Sequence, residues 1–429
     1  MIQADLDWIL ELMAVPTVSP LEGGNLASFV DAQRLFAAGA VARGWTQRRW
    51  DSPPLSHLER VGVPQQVRAT ADAEFLAAQP SVVVAIGEPQ PVERRLVVNF
   101  HMDTVGPHVP PRLDGGMLRG RGAVDDKGPG VAAIAGITAA FRAAPWLAEH
   151  IEVQVAGVPG EEGGAMGVYG TRWLVDSGWA GRVMLFAEPT GCRVFDACSA
   201  AMTPMVSVHG EDSTDDHPAA GHNATVALGF VATRLAEEIG PLAERLGAKA
   251  CVAGARSGDA HNRVYGTGEL RLNIAYYDQG TATALTAAVE RVVDGAGKEF
   301  ADRFGANPVT NRIAAEWAEV VRLTWLKRGL PALANRDRAM ERLLADAGFP
   351  RHDAVADGTA FTCDAIWAAG AGRYVAACGP GDLGANGAHT PDEHVEIAEL
   401  DRYTSRCRDL VLAFGRQVRN TLPQGAEST

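Results

Sequence analysis

Two glutamates stand next to each other in the segment VPGEEGG, directly after the apolar run IEVQVAG. Adjacent carboxylates repel each other, and burying either one without a partner is costly. An isolated EE pair therefore ordinarily belongs to a solvated turn. Glu161 and Glu162 indicate chemistry only if other parts of the chain supply metal-binding groups, since bound cations would offset the repulsion.

A histidine and three aspartates extend this pattern. In VVNFHMDTVGP, His101 ends a predicted buried strand and Asp103 follows two residues later, so the two side chains share a face. A metal-bound imidazole and the carboxylate that orients it require this relation. In RGRGAVDDKGPG, glycines flank Asp125–Asp126 and permit a sharp turn before a predicted helix. This pair could be only a helix N-cap, whereas a phosphate loop is disfavoured because GxxxxGK[ST] is not met and two aspartates would repel phosphate.

The last two positions are Glu188 in FAEPTG and His389 in GANGAHTPDEHV. The five candidate sites are thus His101 with Asp103, Asp125–Asp126, Glu161–Glu162, Glu188 and His389. Each of them falls at the carboxyl end of a predicted strand or in the loop after it. Ligands of open α/β sheets bind at this edge. Histidines and carboxylates together suit one or two divalent ions, with zinc as the first expectation and manganese or cobalt as alternatives.

The elements that would position these residues form an α/β pattern. Buried strands are predicted at 81–86, 95–100, 151–158 and 182–190, with helices at 128–143 and 165–177. After residue 311 the rhythm returns, with a strand at 373–379 and a closing helix at 396–416. Strands that alternate with helices predict a doubly wound, mostly parallel sheet.

A different pattern lies between these two parts. Alternating apolar and polar residues at 204–210 and 268–278 predict half-exposed strands, and helices are predicted at 221–239 and 281–304. This block predicts an inserted α+β domain. The expected organisation is a catalytic domain built from 1–202 and 311–429, interrupted by the insert 203–310.

The segment 51–80 is Pro-rich and longer than most loops. The sequence leaves open whether it is a surface excursion or a flap.

Composition and charge exclude several classes of function. A net charge of −13 over 429 residues argues against sequence-independent nucleic-acid binding, which needs a basic face. No apolar run approaches the ~20 residues of a membrane span, and the amino terminus lacks the features of a secretory signal. Six cysteines without a CxxC pair do not form a disulfide framework, so a cytoplasmic location is expected.

The ordered set HMDTV, GRGAVDDKG, PGEEGG, AEPT and GAHTPDEHV resembles the co-catalytic metallopeptidase family. This family includes aminoacylase, acetylornithine deacetylase, succinyl-diaminopimelate desuccinylase and glutamate carboxypeptidase. The resemblance covers nearly the whole chain, and it implies that the insert is the family's lid and dimerisation domain. A homodimer or higher homo-oligomer formed through this domain is the implied assembly.

The resemblance also implies a role for each residue around the metals. The implied ligands are Asp125 as a bridging carboxylate before a cis peptide bond to Asp126, His101 and Glu188 for one metal, and Glu162 and His389 for the other. Asp103 would orient His101. By the same resemblance Glu161 would be the general base. Neighbouring side chains on an extended backbone point apart, so Glu162 can reach a metal while Glu161 faces the water between metals and substrate. Glu161 could then deprotonate the metal-bound water and pass the proton to the leaving nitrogen.

The insert departs from the family at two positions. The family's lid histidine stands a few residues before a PxxGxNA pattern, which PAAGHNA matches here at 218–224. Counting back arrives near Ser213, so His217 and His222 are the candidate replacements. Asn262 in DAHNRV matches the lid's usual asparagine and is a candidate contact to the substrate.

The second departure concerns the arginine that usually binds a substrate carboxylate. Ala275 stands at about that place in LRLNIAYYD, and Arg263 and Arg271 are candidate replacements. A bidentate arginine is the usual group that binds a carboxylate. Its loss weakens the case for an ordinary peptide or N-acetyl amino acid as the substrate.

Three functions are therefore compared. The first is a metal-dependent hydrolase of a C–N bond in a small molecule, such as an N-acyl amino acid or a dipeptide. The alternative is an aminohydrolase of the nitroanthranilate type, in which metal hydroxide displaces ammonia from an activated aromatic amine. A non-catalytic protein on the same fold is the third, and the complete ligand set with Glu161 argues against it.

Overall fold

The computed structural model describes residues 1–421. Its strands are β1 (Thr46–Asp51), β2 (Ser81–Ile86), β3 (Arg95–His101), β4 (Arg112–Asp114), β5 (Met117–Arg119), β6 (Glu152–Val158), β7 (Val183–Pro189), β8 (Ala197–Cys198), β9 (Ala200–His209), β10 (Ser213–Thr214), β11 (Lys249–Arg256), β12 (Arg263–Val264), β13 (Thr267–Tyr276), β14 (Val321–Lys327), β15 (Leu333–Ala334), β16 (Tyr374–Gly379) and β17 (His394–Glu396).

The α-helices are α1 (Gln3–Ala14), α2 (Leu26–Val41), α3 (Gln65–Thr70), α4 (Ala73–Ala77), α5 (Lys127–Ala143), α6 (Leu147–His150), α7 (Thr171–Asp176), α8 (Ala224–Arg245), α9 (Gln279–Phe304), α10 (Asn311–Ala315), α11 (Trp317–Val320), α12 (Arg338–Asp346) and α13 (Ile397–Thr421). Within residues 1–421, none of these helices has the length and apolar character that a membrane crossing requires.

The chain folds into two units. The first contains Met1–Arg60, Gln66–Cys198 and the described residues from Leu333 onward, and the second contains Val61–Gln65 and Ser199–Ala332. The second unit extends beyond the predicted insert 203–310, because β14 pairs along β9 and belongs to the same sheet.

The first unit is built on a six-stranded sheet in the order β1-β2-β6-β3-β7-β16. The strands β6, β3, β7 and β16 are parallel, whereas β1 and β2 pair antiparallel at one side. The four parallel strands are buried along almost their whole length, as expected of strands covered on both faces. This confirms the predicted α/β fold with a mostly parallel sheet.

Helix α5 is almost completely buried, and two glycines explain how. A Cβ at Gly130 would lie 2.4 Å from the Phe100 ring on β3, and one at Gly136 would lie 2.2 Å from the carbonyl oxygen of Thr404 on α13. The absence of side chains at these positions lets α5 pack directly against both elements. The amino terminus of α5, which follows Asp125–Asp126, is thereby held in a fixed place.

The segment 51–80 is a packed part of the first unit, except for the five residues that join the second. It forms a 3-10 helix at Leu55–Glu59 followed by α3 and α4. His57 Nε2 lies 3.0 Å from the carbonyl oxygen of Val168, and the Phe75 ring stacks edge-on against Tyr169 with centroids 5.5 Å apart. These contacts hold the segment against the chain that follows Glu161–Glu162.

The second unit has a four-stranded antiparallel sheet in the order β11-β13-β9-β14. The long helices α8 and α9 pack against each other and bury an apolar face that includes Phe230 and Phe300. A short two-stranded sheet of β10 and β12 lies beside this core. The alternating pattern of Thr267–Tyr276 is the expected one for strands with one buried face.

Candidate metal centre

The central sheet brings the predicted residues to one edge. His101 at the end of β3 pairs in register with Val158 at the end of β6, and the pair Glu161–Glu162 follows β6. Glu188 is the penultimate residue of β7, the other neighbour of β3. Because these strands are parallel, their carboxyl ends meet at the same edge, where ligands of such sheets bind.

His101, Asp125 and Glu188 form one candidate metal-binding group. One ligand atom from each lies within 4.8 Å of the others, and all three residues are buried. His101 Nε2 is 2.7 Å from Asp125 Oδ1, while Nδ1 is 2.8 Å from the carbonyl oxygen of Asp103. The tautomer in which Nδ1 donates to that carbonyl leaves Nε2 free to act as a metal ligand.

Asp125, Glu162 and His389 form a second group with the same spacing. Nε2 of the exposed His389 is 3.1 Å from Asp125 Oδ2 and 3.1 Å from Glu162 Oε1. The two oxygens of Asp125 therefore face different histidines, which is the arrangement of a carboxylate shared by two ions. The peptide bond between Asp125 and Asp126 is cis, as the resemblance implies.

The electrostatics of the two groups fit bound cations. Burial and the charge of Glu162 raise the pKa of Glu161 well above its usual range. Burial acts in the same direction on Asp125, but hydrogen bonds from His101 and His389 hold its pKa below the usual range. The buried carboxylates thus repel one another, and bound divalent cations would offset this repulsion. Imidazole nitrogens with carboxylate oxygens are donors suited to zinc and similar ions.

Asp103 is fully buried, and its carboxylate binds the main chain of the Glu161–Glu162 loop. Its Oδ1 accepts the Glu161 N–H at 3.3 Å and its Oδ2 accepts the Glu162 N–H at 3.1 Å. The resemblance implies that Asp103 orients His101, and the contact exists, but it is made by the main-chain carbonyl. The carboxylate Oδ1 is 4.0 Å from His101 Nδ1. Two converging N–H groups offer the carboxylate a pair of hydrogen bonds, which one ring N–H cannot provide.

Comparison with known families agrees with this geometry. The protein-family model described as Peptidase family M20/M25/M40 matches residues 97–413, which is most of the chain. The chain belongs to this family. It is accordingly a metal-dependent hydrolase that acts on carbon–nitrogen bonds, and the members of this family use one or two divalent metals. No curated protein sequence matches the chain.

Solved structures of M20 and other peptidases share the fold. A tripeptidase from Staphylococcus aureus has a TM-score of 0.68 at 16% identity, covering 97% of this chain and 99% of its own. An M20 family metallo-carboxypeptidase from Sulfolobus solfataricus has a TM-score of 0.66 at 12% identity, covering 97% and 100%. The di-peptidase Dug1p from Saccharomyces cerevisiae has 0.65 at 11% identity, covering 96% of each chain. At these identities the likeness shows the fold alone.

Three candidate substrate contacts of this M20 chain lie in its second unit, which is described here by itself. His222 is buried, with Nδ1 accepting the Glu211 N–H at 2.9 Å and Nε2 lying 3.0 Å from Glu316 Oε2. Both ring nitrogens are therefore engaged inside the unit, and His222 is a structural residue of it. His217 and Asn262 are exposed.

The two candidate arginines of this M20 chain are also paired within the second unit. Arg263 Nη2 is 2.9 Å from Asp212 Oδ2, and Arg271 Nη2 is 2.6 Å from Glu269 Oε2. Both side chains are more than half exposed. These contacts bring each arginine to a carboxylate of the chain itself.

Sequence reasoning missed Asp364, a buried carboxylate behind the Glu161 loop. Thr171 donates its hydroxyl to Asp364 Oδ2 and accepts the Asn99 side-chain amide at 2.8 Å. Trp367, three residues after Asp364, donates its indole N–H to the carbonyl oxygen of Met166 at 2.6 Å. The only signal in the sequence is one aspartate in CDAIW, and its partners are far away along the chain.

Proposed function

We propose that this M20 hydrolase cleaves the amide bond of a small N-acyl amino acid or dipeptide. The observation that carries the proposal is the position of Asp125, whose two oxygens lie 2.7 Å and 3.1 Å from Nε2 of His101 and of His389. A carboxylate between two histidines is suited to a pair of ions that act on one substrate. The structures that share the fold include a tripeptidase and a di-peptidase, which supports a peptide-like amide.

The proposed ligands divide between two ions. His101 and Glu188 would hold one ion, Glu162 and His389 would hold the other, and Asp125 would contact both. Zinc is the proposed metal, with manganese and cobalt as alternatives. Bound divalent cations of this kind lower the pKa of water and polarise the carbonyl group of a substrate.

Glu161 is the proposed general base. It is half-buried, and one of its carboxylate oxygens lies within 4.8 Å of ligand atoms of His101 and Glu162. Asp103 fixes its main-chain N–H and so sets the direction of the side chain. From this place Glu161 can accept a proton from the attacking water and deliver it to the departing nitrogen.

The parts of the second unit that contact the substrate are proposed from the resemblance. Asn262 and His217 are exposed on the surface of this unit and so are free to meet a ligand. The second unit is also the proposed interface of a homodimer or higher homo-oligomer. Its edge strand β11 supports this role, because it is exposed along most of its length. A cytoplasmic location is proposed as well, and the six free cysteines are consistent with it.

The experiment uses metal-free protein that is reloaded with Zn²⁺, Mn²⁺ or Co²⁺ in separate samples. Each sample is incubated with dipeptides, N-acyl amino acids and nitro-substituted aminobenzoates, and the products are read by mass spectrometry. Release of an amino acid in a metal-dependent manner is the expected result. Release of ammonia from the aromatic amines, with the amides untouched, would replace the proposal by the aminohydrolase alternative.

Two isosteric variants connect the activity to the site. Glu161→Gln is expected to bind metal like the wild type and to lose about 10²–10⁴-fold in kcat, the range that general-base catalysis contributes. Glu74→Gln is the matched control, because Glu74 is an exposed residue of α4 in the same unit. Full activity in Glu161→Gln would contradict the assigned role.

A further inference from the structure

The loop that carries Asp125 and the loop that carries His389 are both attached to one small sheet. This sheet has the order β17-β5-β4, and His394 of β17 pairs with Arg119 of β5 in antiparallel register. The loop with Asp125 leaves β5 at the end where the loop with His389 enters β17. The two loops therefore lie side by side, although Ser199–Ala332 of the second unit lies between them in sequence.

Glu393 is the residue that joins these loops. It directly precedes β17 and is 1% exposed. Its Oε1 accepts three main-chain N–H groups, from Gly122 at 2.9 Å, Val124 at 3.2 Å and Asp125 at 3.3 Å. Its Oε2 accepts from Nη1 of Arg121 at 2.5 Å.

The main chain of Glu393 adds a further link. Its carbonyl oxygen accepts the Gly120 N–H at 3.0 Å, so the loop from residue 120 to 125 is bound to Glu393 at both its start and its end. A carboxylate suits this place because one oxygen can accept several hydrogen bonds at once. Burial and the charge of Asp125 raise the pKa of Glu393 to about 7, and the Arg121 guanidinium acts against this shift. The buried guanidinium of Arg121 forms an ion pair with the ionised form of this carboxyl group.

On the other side, Glu393 is only four residues from His389. Both residues lie in a loop that is closed by Asn386 and His394. The carbonyl oxygen of Asn386 accepts the His394 N–H at 3.0 Å, and its Nδ2 donates to the His394 carbonyl at 2.9 Å. His389 itself has a φ of 65°, a conformation that a residue with a side chain rarely adopts and that the surrounding loop must hold. A displacement of Glu393 would therefore move His389 as well as Asp125.

We propose that Glu393 is a positioning residue that fixes Asp125 and His389 relative to each other and so forms the metal site before any ion binds. The inference rests on the proposed two-metal function, because it concerns two of the proposed ligands. Within residues 1–421, Glu393 belongs to none of the candidate metal-binding groups. Its effect is exerted through the backbone of the Asp125 loop, as outer groups of metal sites commonly act.

A matched control separates positioning from simple stability. Glu152 is also a buried carboxylate of the first unit, 2% exposed, with its Oε2 2.8 Å from Nε of Arg95. It stands at the first residue of β6, whereas the metal ligands lie beyond the carboxyl ends of the strands. Loss of its charge removes a buried ion pair in the same unit without touching either loop of the site.

The test compares Glu393→Gln with Glu152→Gln in the full chain. The dissociation constant for Zn²⁺ is measured by competition with a chromogenic chelator, and the metal-free proteins are unfolded in urea. Glu393→Gln is expected to weaken Zn²⁺ binding by about 10–100-fold, while Glu152→Gln changes it by less than about 2-fold even where it lowers stability. A Zn²⁺ affinity of Glu393→Gln within about 2-fold of the wild type would overturn the inference.

Hydrogen exchange of the wild type covers the case in which Glu393→Gln does not fold. The amides of Gly122, Val124 and Asp125 are expected to exchange slowly in metal-free protein, because Glu393 accepts all three. Fast exchange that becomes slow only after Zn²⁺ is added would overturn the inference. A wild type that binds no divalent ion at all would instead refute the proposed function, so the two failures are distinguishable.

Discussion

The main-chain nitrogen of Glu162 lies 3.1 Å from Oδ2 of Asp103. This hydrogen bond crosses from the loop after β3 to the loop after β6, and a second bond from the same carboxylate reaches the Glu161 N–H. One buried aspartate thus sets the backbone from which both the proposed base and a proposed ligand project. The adjacent glutamates are held in a defined turn by Asp103 rather than by solvent.

Asp103→Asn is therefore expected to reduce activity more than it reduces stability. The variant replaces one acceptor oxygen by an NH₂ group, which would face a main-chain N–H, so one of the two bonds is lost. A decrease of about 10–100-fold in kcat/KM is expected, the range found for groups that orient a metal site. Steady-state kinetics and urea unfolding of the same preparations measure the two effects. Unchanged kinetics would show that the turn keeps its conformation without Asp103.

The two candidate groups predict a specific pattern of metal stoichiometry. Glu188→Gln should weaken one site and Glu162→Gln the other, because Glu188 is grouped with His101 and Asp125, whereas Glu162 is grouped with Asp125 and His389 and also lies near His101 and Glu161. Asp125→Asn should weaken both, since it lowers the charge of the carboxylate that the groups share. Isothermal titration of metal-free variants with Zn²⁺ counts the remaining sites. Loss of both ions in Glu188→Gln alone would contradict the division of ligands.

The contact between Thr171 and Asp364 is expected to contribute to stability. Thr171→Val keeps the shape of the side chain but leaves the buried Asp364 carboxylate without this donor and Asn99 without its acceptor. An unsatisfied buried polar group costs about 1–3 kcal/mol. The free energy of unfolding in urea measures the loss. Thr46→Val is the control, because Thr46 is exposed at the start of β1, and a change within about 0.5 kcal/mol is expected there.

His57 is expected to make the first unit less stable in mild acid. Burial lowers the pKa of His57 below its ordinary value, and the positive charge of Arg172 acts in the same direction. The folded state then binds fewer protons than the unfolded state as the pH falls below about 6.5. The stability contributed by the neutral imidazole is complete above that pH and is lost as the pH decreases toward the folded-state pKa.

The variant His57→Gln tests this dependence, since glutamine is neutral at all these pH values and its NH₂ group can still donate to the Val168 carbonyl. The free energy of unfolding of metal-free protein is measured between pH 5 and pH 8 for both proteins. The wild type should lose more stability than the variant over this interval. Parallel curves for the two proteins would rule out His57 as the responsible group.

The sequence predicts the ligand-bearing edge well because the end of each buried strand can be recognised from its own apolar run. His101, Glu161–Glu162 and Glu188 each lie at or just after the end of an apolar run, and parallel pairing brings such ends together. The same logic does not reach Glu393. It lies in the motif GAHTPDEHV, but its partners are main-chain N–H groups of a distant loop, and backbone partners leave no pattern in side-chain types.

Some contacts of the second unit likewise cannot be predicted from the sequence. Its alternating strands are visible in the sequence, yet β14 joins the sheet by pairing with β9 after the helices α8 to α11 have intervened. His222 appears in the sequence as a free imidazole near a motif, and only the fold shows Glu316 and the Glu211 N–H at its two nitrogens. The packing of 51–80 likewise depends on His57 and Phe75 meeting residues about a hundred positions further along the chain.

The pairing of β5 with β17 also orders events in time. A ribosome synthesises Asp125, both glutamates of the EE pair and the entire second unit before it reaches His389 and Glu393. The emerging polypeptide consequently carries four of the five proposed ligands before it contains His389, and before it contains Glu393, the residue that holds the Asp125 loop in place. The group of Asp125, Glu162 and His389 is therefore completed only when β17 pairs with β5, whereas His101, Asp125 and Glu188 are all present once β7 has been made.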